Sequence, residues 1–466
     1  MIALLWLRRD LRVHDHPALL AAAEADALVP VFCLDDRLLH GRHASGPRTQ
    51  FLLESLADLD RSLRERGSGL VVRHGSPEQE LVSLARATGA HALHFTADAG
   101  PFARARDERV REAMRAAGIE SRAHAGAFVA DDLTAIRTRE GRPYTVFTPF
   151  YRAWSALSRR AVADAPSSLP PLPDGIRPGK LPQLEELDLC QEIACPLTGG
   201  EGPGRSRAHE FLRDAVRKYD RDRDALAAQT SRLSPYLHLG CVSPRELEHE
   251  LSRGRGPVAF RRQLCWRDFY AHVLLHFPRN ARSEHQPRYR GRLSYSHHHS
   301  RFEAWCAGRT GYPLVDAAMR QLRAEGWMHN RARLVVGSFL TKDLGIDWRW
   351  GERWFMRLLL DGDEANNNGN WQWIASVGVD PQPPFRRIYN PARQQARFDP
   401  EGEYVRRYVP ELRAVPDQYL AEPWRMPAEV QRAAGCEIGR DYPEPIVDHR
   451  RAREDTLARY AAAGSR

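Results

Sequence analysis

A chain of 466 residues is longer than one small hydrophobic core serves, so two or three domains are expected. Hydrophobic content of 42% and charged content of 28% are those of an ordinary globular protein, and no apolar run approaches the roughly 20 residues that cross a bilayer. The net charge of +9 favours an anionic partner such as nucleic acid, although arginine-rich composition alone produces the same excess.

The first strand is read at 2–7, an apolar run too short for a signal-peptide core and followed, not preceded, by Arg8 and Arg9. Further runs at 28–34, 70–74, 91–96 and 119–124 alternate with amphipathic stretches at 49–66 and 76–88. That alternation predicts a doubly wound parallel sheet, Rossmann-like, over residues 1–132. The turn after the first strand reads Arg8-Arg-Asp-Leu-Arg12 where a dinucleotide site would carry glycines, so a nicotinamide site is not expected.

Residues 133–205 are read as a linker, with the stretch from Asp164 to Gly204 rich in Pro, Gly and Ser. Gly200-Glu-Gly-Pro-Gly204 imitates a phosphate loop, but Pro203 interrupts it and it is assigned to the linker. Seven cysteines without a CxxC pair point to reduced thiols and a cytoplasmic protein. Cys190 and Cys195 lack a second pair at ligand spacing, so no metal site is expected. Helical patterns dominate residues 206–466. Within them, Ser234 before Pro235 predicts an N-cap and first turn, whose free backbone N–H groups suit a pyrophosphate. The charged, alanine-rich tail after Pro445 predicts a terminal helix with frayed ends and no long signalling extension.

Eight of the eleven tryptophans fall between Trp266 and Trp373. Two of them end Asp361-Gly-Asp-Glu-Ala-Asn-Asn-Asn-Gly-Asn-Trp-Gln-Trp373, whose amides, carboxylates and glycines argue against a core helix. Such a segment suits redox chemistry on a flat polar ring, with indoles for stacking or electron transfer. Trp371 and Trp373 stand two apart and must point in different directions.

Together with Thr230-Ser-Arg-Leu-Ser-Pro-Tyr-Leu, Gln263-Leu-Cys-Trp-Arg-Asp-Phe-Tyr270, Gly311-Tyr-Pro-Leu-Val-Asp-Ala-Ala-Met-Arg-Gln-Leu322, Gly326-Trp-Met-His-Asn-Arg-Ala-Arg333 and Arg387-Ile-Tyr-Asn-Pro391, this segment resembles the photolyase/cryptochrome family, and within it the bacterial class I DNA photolyases. The resemblance runs from Trp6 to about His449. It implies an α/β antenna domain and an all-α domain holding flavin adenine dinucleotide. The phosphates would lie on Tyr219, Thr230, Ser231, Arg232, Leu233 and Ser234, with Arg267, Asn330 and Arg333 added from other helices. Of Asp361 and Asp363, one would pair with Arg333 and the other accept from the flavin ring. Asn367 would face its reactive nitrogen.

The resemblance further implies an electron relay of Trp371, Trp348 and Tyr295, where the family often has a third tryptophan. A flipped pyrimidine dimer would lie among Gln263, Trp266, Tyr270, Asn330, Arg331, Leu334 and Trp373. Arg223, Arg331 and Arg387 would hold the flanking phosphates. Gln263 stands where such photolyases commonly carry Glu. The histidine pair of (6-4) photolyases falls on Asn330 and Leu334, and His329 is alone, so that chemistry is not expected. Phe102-Ala103 replaces the Asn-Glu of folate-binding members, so an 8-hydroxy-5-deazaflavin antenna is favoured over a folate, with Arg48 and Asp98 as contacts. An empty or flavin-filled antenna site is the alternative.

The function implied is light-driven repair of cyclobutane pyrimidine dimers in DNA by a monomer free of membranes. A cryptochrome-like blue-light photoreceptor without repair is the rival, and a light-independent flavoprotein is disfavoured for want of a nicotinamide site.

Overall fold

The structure, a computed structural model, describes residues 1–464 except Cys195, Gln229 and Pro381, so of Cys190 and Cys195, read as linker residues, the second lies outside the described residues. Five parallel strands, β1 (Ile2–Leu7), β2 (Ala27–Leu34), β3 (Val71–His74), β4 (Ala92–Thr96) and β5 (Glu120–His124), lie in the order β3-β2-β1-β4-β5. β1 and β2 are continuous apolar runs because helices cover both faces of a parallel sheet. The edge strand β5 is short and carries Glu120 and Arg122, which blunt it against further pairing. Among the covering helices are α1 (Gly46–Arg64), α2 (Pro77–Thr88) and α3 (Pro101–Ala116).

Strand order reverses beside β1, and the carboxyl ends of β1 and β4 form the crevice where such sheets bind ligands. Here the crevice docks the helical domain instead. Arg9, just past β1, donates from Nη2 to Asp363 at 2.7 Å and lies 3.8 Å from Asp98, just past β4. Buried Arg12 donates to the carbonyls of His14, Asp15, Gly126 and Gly240, and Leu11 N–H donates to Leu239 O at 3.1 Å. Of the arginines that replace a glycine-rich turn, Arg9 and Arg12 are therefore interdomain ties, while Arg8 pairs with Asp107 inside the sheet domain.

The segment 133–205 is not a plain linker. It contains α4 (Phe147–Ala156), whose Phe150 and Trp154 are fully buried, and Trp154 Nε1 donates to Asp268 at 2.9 Å. The aromatic spacing of α4 presents one apolar face, and that face packs on the helical domain. The Gly200–Gly204 stretch also departs from the linker reading. Gly200 caps α5 (Glu201–Arg213), and buried Glu201 accepts from the N–H groups of Val13 and His14.

The helical domain continues with α6 (Ser234–Leu239), α7 (Arg255–His276), α8 (Pro313–Glu325), α9 (Asn330–Ser338), α10 (Trp348–Leu358), α11 (Glu364–Ile374) and α12 (His449–Gly464). Pro235 opens α6 as expected, but Leu233 is the cap residue and Ser234 is already helical, with no side-chain capping bond. The expected terminal helix is present and is anchored in its middle: Thr456 and Tyr460 are buried and bond to Lys342 O and Ala375 O.

Gly240 ends α6 at φ +69°, and an added Cβ would lie 2.1 Å from Arg9 O. Both the left-handed backbone and the interdomain approach demand glycine here. Gly240→Ala is expected to destabilise the protein by more than about 1 kcal/mol, read as a lower urea midpoint with limited proteolysis opening between the domains. An unchanged midpoint would contradict this docking geometry.

Candidate functional site

Three helices turn one face each toward a cavity of about 630 Å³ in the helical domain. On α7 the face is Gln263, Trp266, Arg267 and Tyr270, spaced by three and four residues so that they stack along one side. On α9 it is Asn330, Arg333, Leu334 and Gly337. On α11 it is Asn366, Asn367, Asn370, Trp371 and Ile374. The loop 230–234 and the start of α6 close one end. Arg232 there holds φ +50°, an uncommon conformation for a side-chain-bearing residue, fixed by an ion pair to Glu325 at 3.0 Å and stacking over Trp327 at 4.6 Å.

The segment 361–373, argued from composition not to be a core helix, is in fact helical from Glu364. Asp363 supplies what the poor helix formers lack. Its Oδ1 accepts from Asn366 N at 2.9 Å and from Asn366 Nδ2 at 2.7 Å, an N-cap bond at the positive end of α11. Gly369 serves packing: an added Cβ would come 2.1 Å from the ring of Tyr270, so α11 approaches α7 closely enough to close the cavity floor.

The two aspartates divide their work. Asp361 takes a two-pronged pair from Arg333, at 2.8 and 3.2 Å, fixing α9 to the turn before α11. Asp363 is paired to Arg9 across the domain boundary. Burial alone would raise its pKa, but Arg9, His238 and Arg267 hold the carboxyl well below its usual value. His238 is buried beside it, 3.9 Å from Asp363, and burial brings its pKa to about 4, leaving a neutral imidazole on the wall. Asn367 donates from Nδ2 to Glu352 O at 3.0 Å, which ties its amide to α10. Burial pushes the Glu352 carboxyl up to about 7 against the pull of Arg42.

Several polar atoms on this wall have no hydrogen-bond partner among the described residues: His238 Nδ1, His329 Nε2 and Arg331 Nε. Buried polar groups are ordinarily satisfied. Their convergence with the hydroxyls of Thr230, Ser231 and Ser234 fits a large, polar and anionic ligand with a flat ring, which flavin adenine dinucleotide is.

A family model described as "DNA photolyase" matches residues 3–172, and one described as "FAD binding domain of DNA photolyase" matches residues 260–462. The chain is 42% identical to the deoxyribodipyrimidine photo-lyase of Streptomyces griseus, covering 97% of each. The chain belongs to the photolyase/cryptochrome family. Its fold matches a class III photolyase of Agrobacterium tumefaciens with TM-score 0.93 at 37% identity, covering 100% of this chain and 98% of that one. A Synechocystis cryptochrome matches with TM-score 0.89 at 31% identity, covering 98% of each.

Most of the residues expected from the family motifs line this cavity. Tyr219, Arg223, Thr230, Ser231, Arg232, Leu233, Ser234, Gln263, Trp266, Arg267, Tyr270, Asn330, Arg331, Arg333, Asp361, Asp363, Asn367, Trp371 and Trp373 all do. Trp348 and Tyr295 are not among its lining residues; both hydrogen-bond Glu284. Three expectations need correction. Arg387, read as a phosphate contact, is only 2% exposed; it stacks 3.9 Å over Trp373 and pairs with Asp380 at 2.6 Å, so it braces the indole instead. Arg48, read as an antenna contact, spends its guanidinium on the carbonyls of His43, Met356 and Leu359, tying α1 to α10. Asp98 caps the turn at Ala99 and Gly100 and faces Arg9.

Sequence reasoning missed Arg9, His238, Glu352 and Phe147. The last lies flat on Trp266, with ring centroids 3.7 Å apart and planes within 3°, and comes from the stretch read as a linker. Its neighbours Phe150 and Trp154, at helical spacing, were the available signal.

Proposed function

We propose that this protein is a light-driven DNA repair enzyme acting on cyclobutane pyrimidine dimers. The observation that carries this reading is the juxtaposition, in one cavity, of a polar anion-binding end and an aromatic mouth formed by Trp266 and Trp373. When bound, reduced and excited by light, flavin adenine dinucleotide would supply one electron to the dimer and recover it after the ring opens. The chain's own residues bind and orient. Thr230, Ser231, Arg232 and Ser234 hold phosphates; Asp363 and Asn367 meet the ring; Trp266 and Trp373 border the flipped pyrimidine dimer; Gln263 and Asn330 hydrogen-bond its edge. Arg223 and Arg331 reach flanking phosphates, and Trp371, Trp348 and Tyr295 pass electrons inward to keep the flavin reduced. The absence of the folate-type Asn-Glu at Phe102-Ala103 supports a deazaflavin antenna, but Arg48 and Asp98 have other partners and are not carried forward as its contacts.

Under near-ultraviolet or blue light, reduced protein should restore dimer-containing oligonucleotides, while in darkness it should bind without repair. Binding should weaken steeply with salt, because phosphate contacts release counterions. Trp373→Ala should lose about 1–3 kcal/mol of affinity through lost stacking, and Gln263→Glu should keep or raise repair. Photoreduction without repair of either strand form would overturn this reading in favour of a photoreceptor.

A further inference from the structure

Tyr295 stands where the relay meets the surface, on the wall of a second cavity of about 880 Å³ shared with Lys342, Thr456 and Arg459. A phenol cannot pass on an electron as an indole does. Its oxidised form is a very strong acid, so the hydroxyl proton must have somewhere to go as the electron leaves. Tyr295 OH has one hydrogen-bond acceptor among the described residues, Glu284 Oε1 at 3.2 Å. The same oxygen accepts from Trp348 Nε1 at 3.4 Å. One carboxylate oxygen thus bridges the middle and terminal relay positions.

Glu284 is 2% exposed and lies in the loop before Tyr295. Its other oxygen is held by Arg349 at 2.9 Å, and Arg349 stacks 4.7 Å over the Trp348 ring. Burial would raise the carboxyl's pKa, yet the Arg349 bond keeps it below the usual value, so it is ionised and ready to accept. Burial first, then the charges of Tyr460, Glu284 and Asp347, raise the pKa of the Tyr295 phenol, so it is protonated before oxidation. Donor and acceptor are therefore in complementary protonation states and already hydrogen-bonded, the geometry that proton transfer requires.

We propose that Glu284 is the proton acceptor that lets Tyr295 end the relay. The inference rests on the relay reading given above. Trp371, having lost an electron to the light-excited flavin, oxidises Trp348, and the Trp348 radical cation then takes one electron from Tyr295. The O–H bond of Tyr295 breaks as its proton forms a bond to Glu284 Oε1. The products are neutral Trp348, a neutral tyrosyl radical and a Glu284 carboxylic acid. A thiolate from solution, reaching Tyr295 through the second cavity, returns one electron and becomes a thiyl radical, while Glu284 gives the proton back.

The test is transient absorption and electron paramagnetic resonance of the flavin-loaded protein after a light flash, in H2O and D2O. Wild type should form a tyrosyl radical with a solvent isotope effect, and infrared difference spectra should gain a carboxylic acid band. Tyr295→Phe should lose the tyrosyl signal and accumulate oxidised tryptophan. Glu284→Gln keeps an acceptor for the hydrogen bond but is a far poorer base, and tyrosyl formation should slow by about 100-fold while tryptophan oxidation stays fast. Glu284→Asp should restore part of the rate, and flavin content checks that both variants fold. Tyrosyl formation at the wild-type rate in Glu284→Gln, with Tyr295→Phe silent, would overturn the role of Glu284 alone. Absence of any tyrosyl radical in wild type would overturn both Tyr295 as the terminal donor and this proposal.

Discussion

Asp363→Ala should yield a protein that is purified without flavin and is markedly less stable. Three functions meet on this carboxylate: it caps α11, it neutralises Arg9 across the domain boundary, and it borders the cavity beside His238. Removing it leaves the Arg9 guanidinium, less than a third exposed, facing Asp98 only at 3.8 Å. Breaking a buried pair by deleting one partner typically costs about 3–5 kcal/mol, and loss of the cap adds about 1 kcal/mol. Asp363→Asn should recover the cap but not the charge, and so fall between. Flavin absorbance per protein and urea midpoints separate the two effects. If Asp363→Ala retained full flavin and an unchanged midpoint, neither the cap nor the interdomain pair would matter as described.

The pH dependence of this group has a definite sign. The folded carboxyl titrates well below its unfolded value of about 3.9. Its stabilisation is therefore complete above about pH 5, where the unfolded group is also ionised, and is lost progressively as pH falls from there to below the folded pKa. Flavin retention and stability should be insensitive to the titration of this residue from neutral pH down to about 5. A loss already at mildly acidic pH would have to come from another group, of which His238 has the right sign, because burial brings its folded pKa to about 4, below the ordinary imidazole value.

Trp371→Phe should abolish light-driven reduction of the flavin by an external thiol while leaving pre-reduced protein able to repair. Trp371 is buried at the cavity edge, with its ring 5.0 Å from Phe355 and 6.3 Å from Trp305. Phenylalanine is far harder to oxidise, so the first inward step fails whatever lies beyond it. The smaller ring also leaves a void, expected to cost about 1–3 kcal/mol, which the fold should tolerate. Trp348→Phe should show the same separation of photoreduction from repair. Photoreduction at the wild-type rate in Trp371→Phe would show that electrons enter by another route.

Local chemistry made much of this protein legible in one dimension. The inner strands β1 and β2 were readable because a doubly covered parallel sheet demands unbroken apolar runs. The family motifs carried Gln263, Asn330, Asp361, Asn367 and Trp371 to one cavity. What the linear order could not decide was pairing between distant segments. The helicity of 364–374 depends on Asp363 as a cap and on the fit of Gly369 against Tyr270, which outweigh the poor propensity of asparagine and glycine. Arg8, Arg9 and Arg12 looked like a failed phosphate loop; only the approach of α6 and Asp363 made Arg9 and Arg12 a domain clasp. Arg387 had the composition of a phosphate contact, but the fold buries it behind Trp373 with Asp380. Charge and residue type follow from the sequence, whereas the partner that satisfies a charge, and so whether it is free to bind anything else, is decided by which surfaces the tertiary structure brings within a few ångströms.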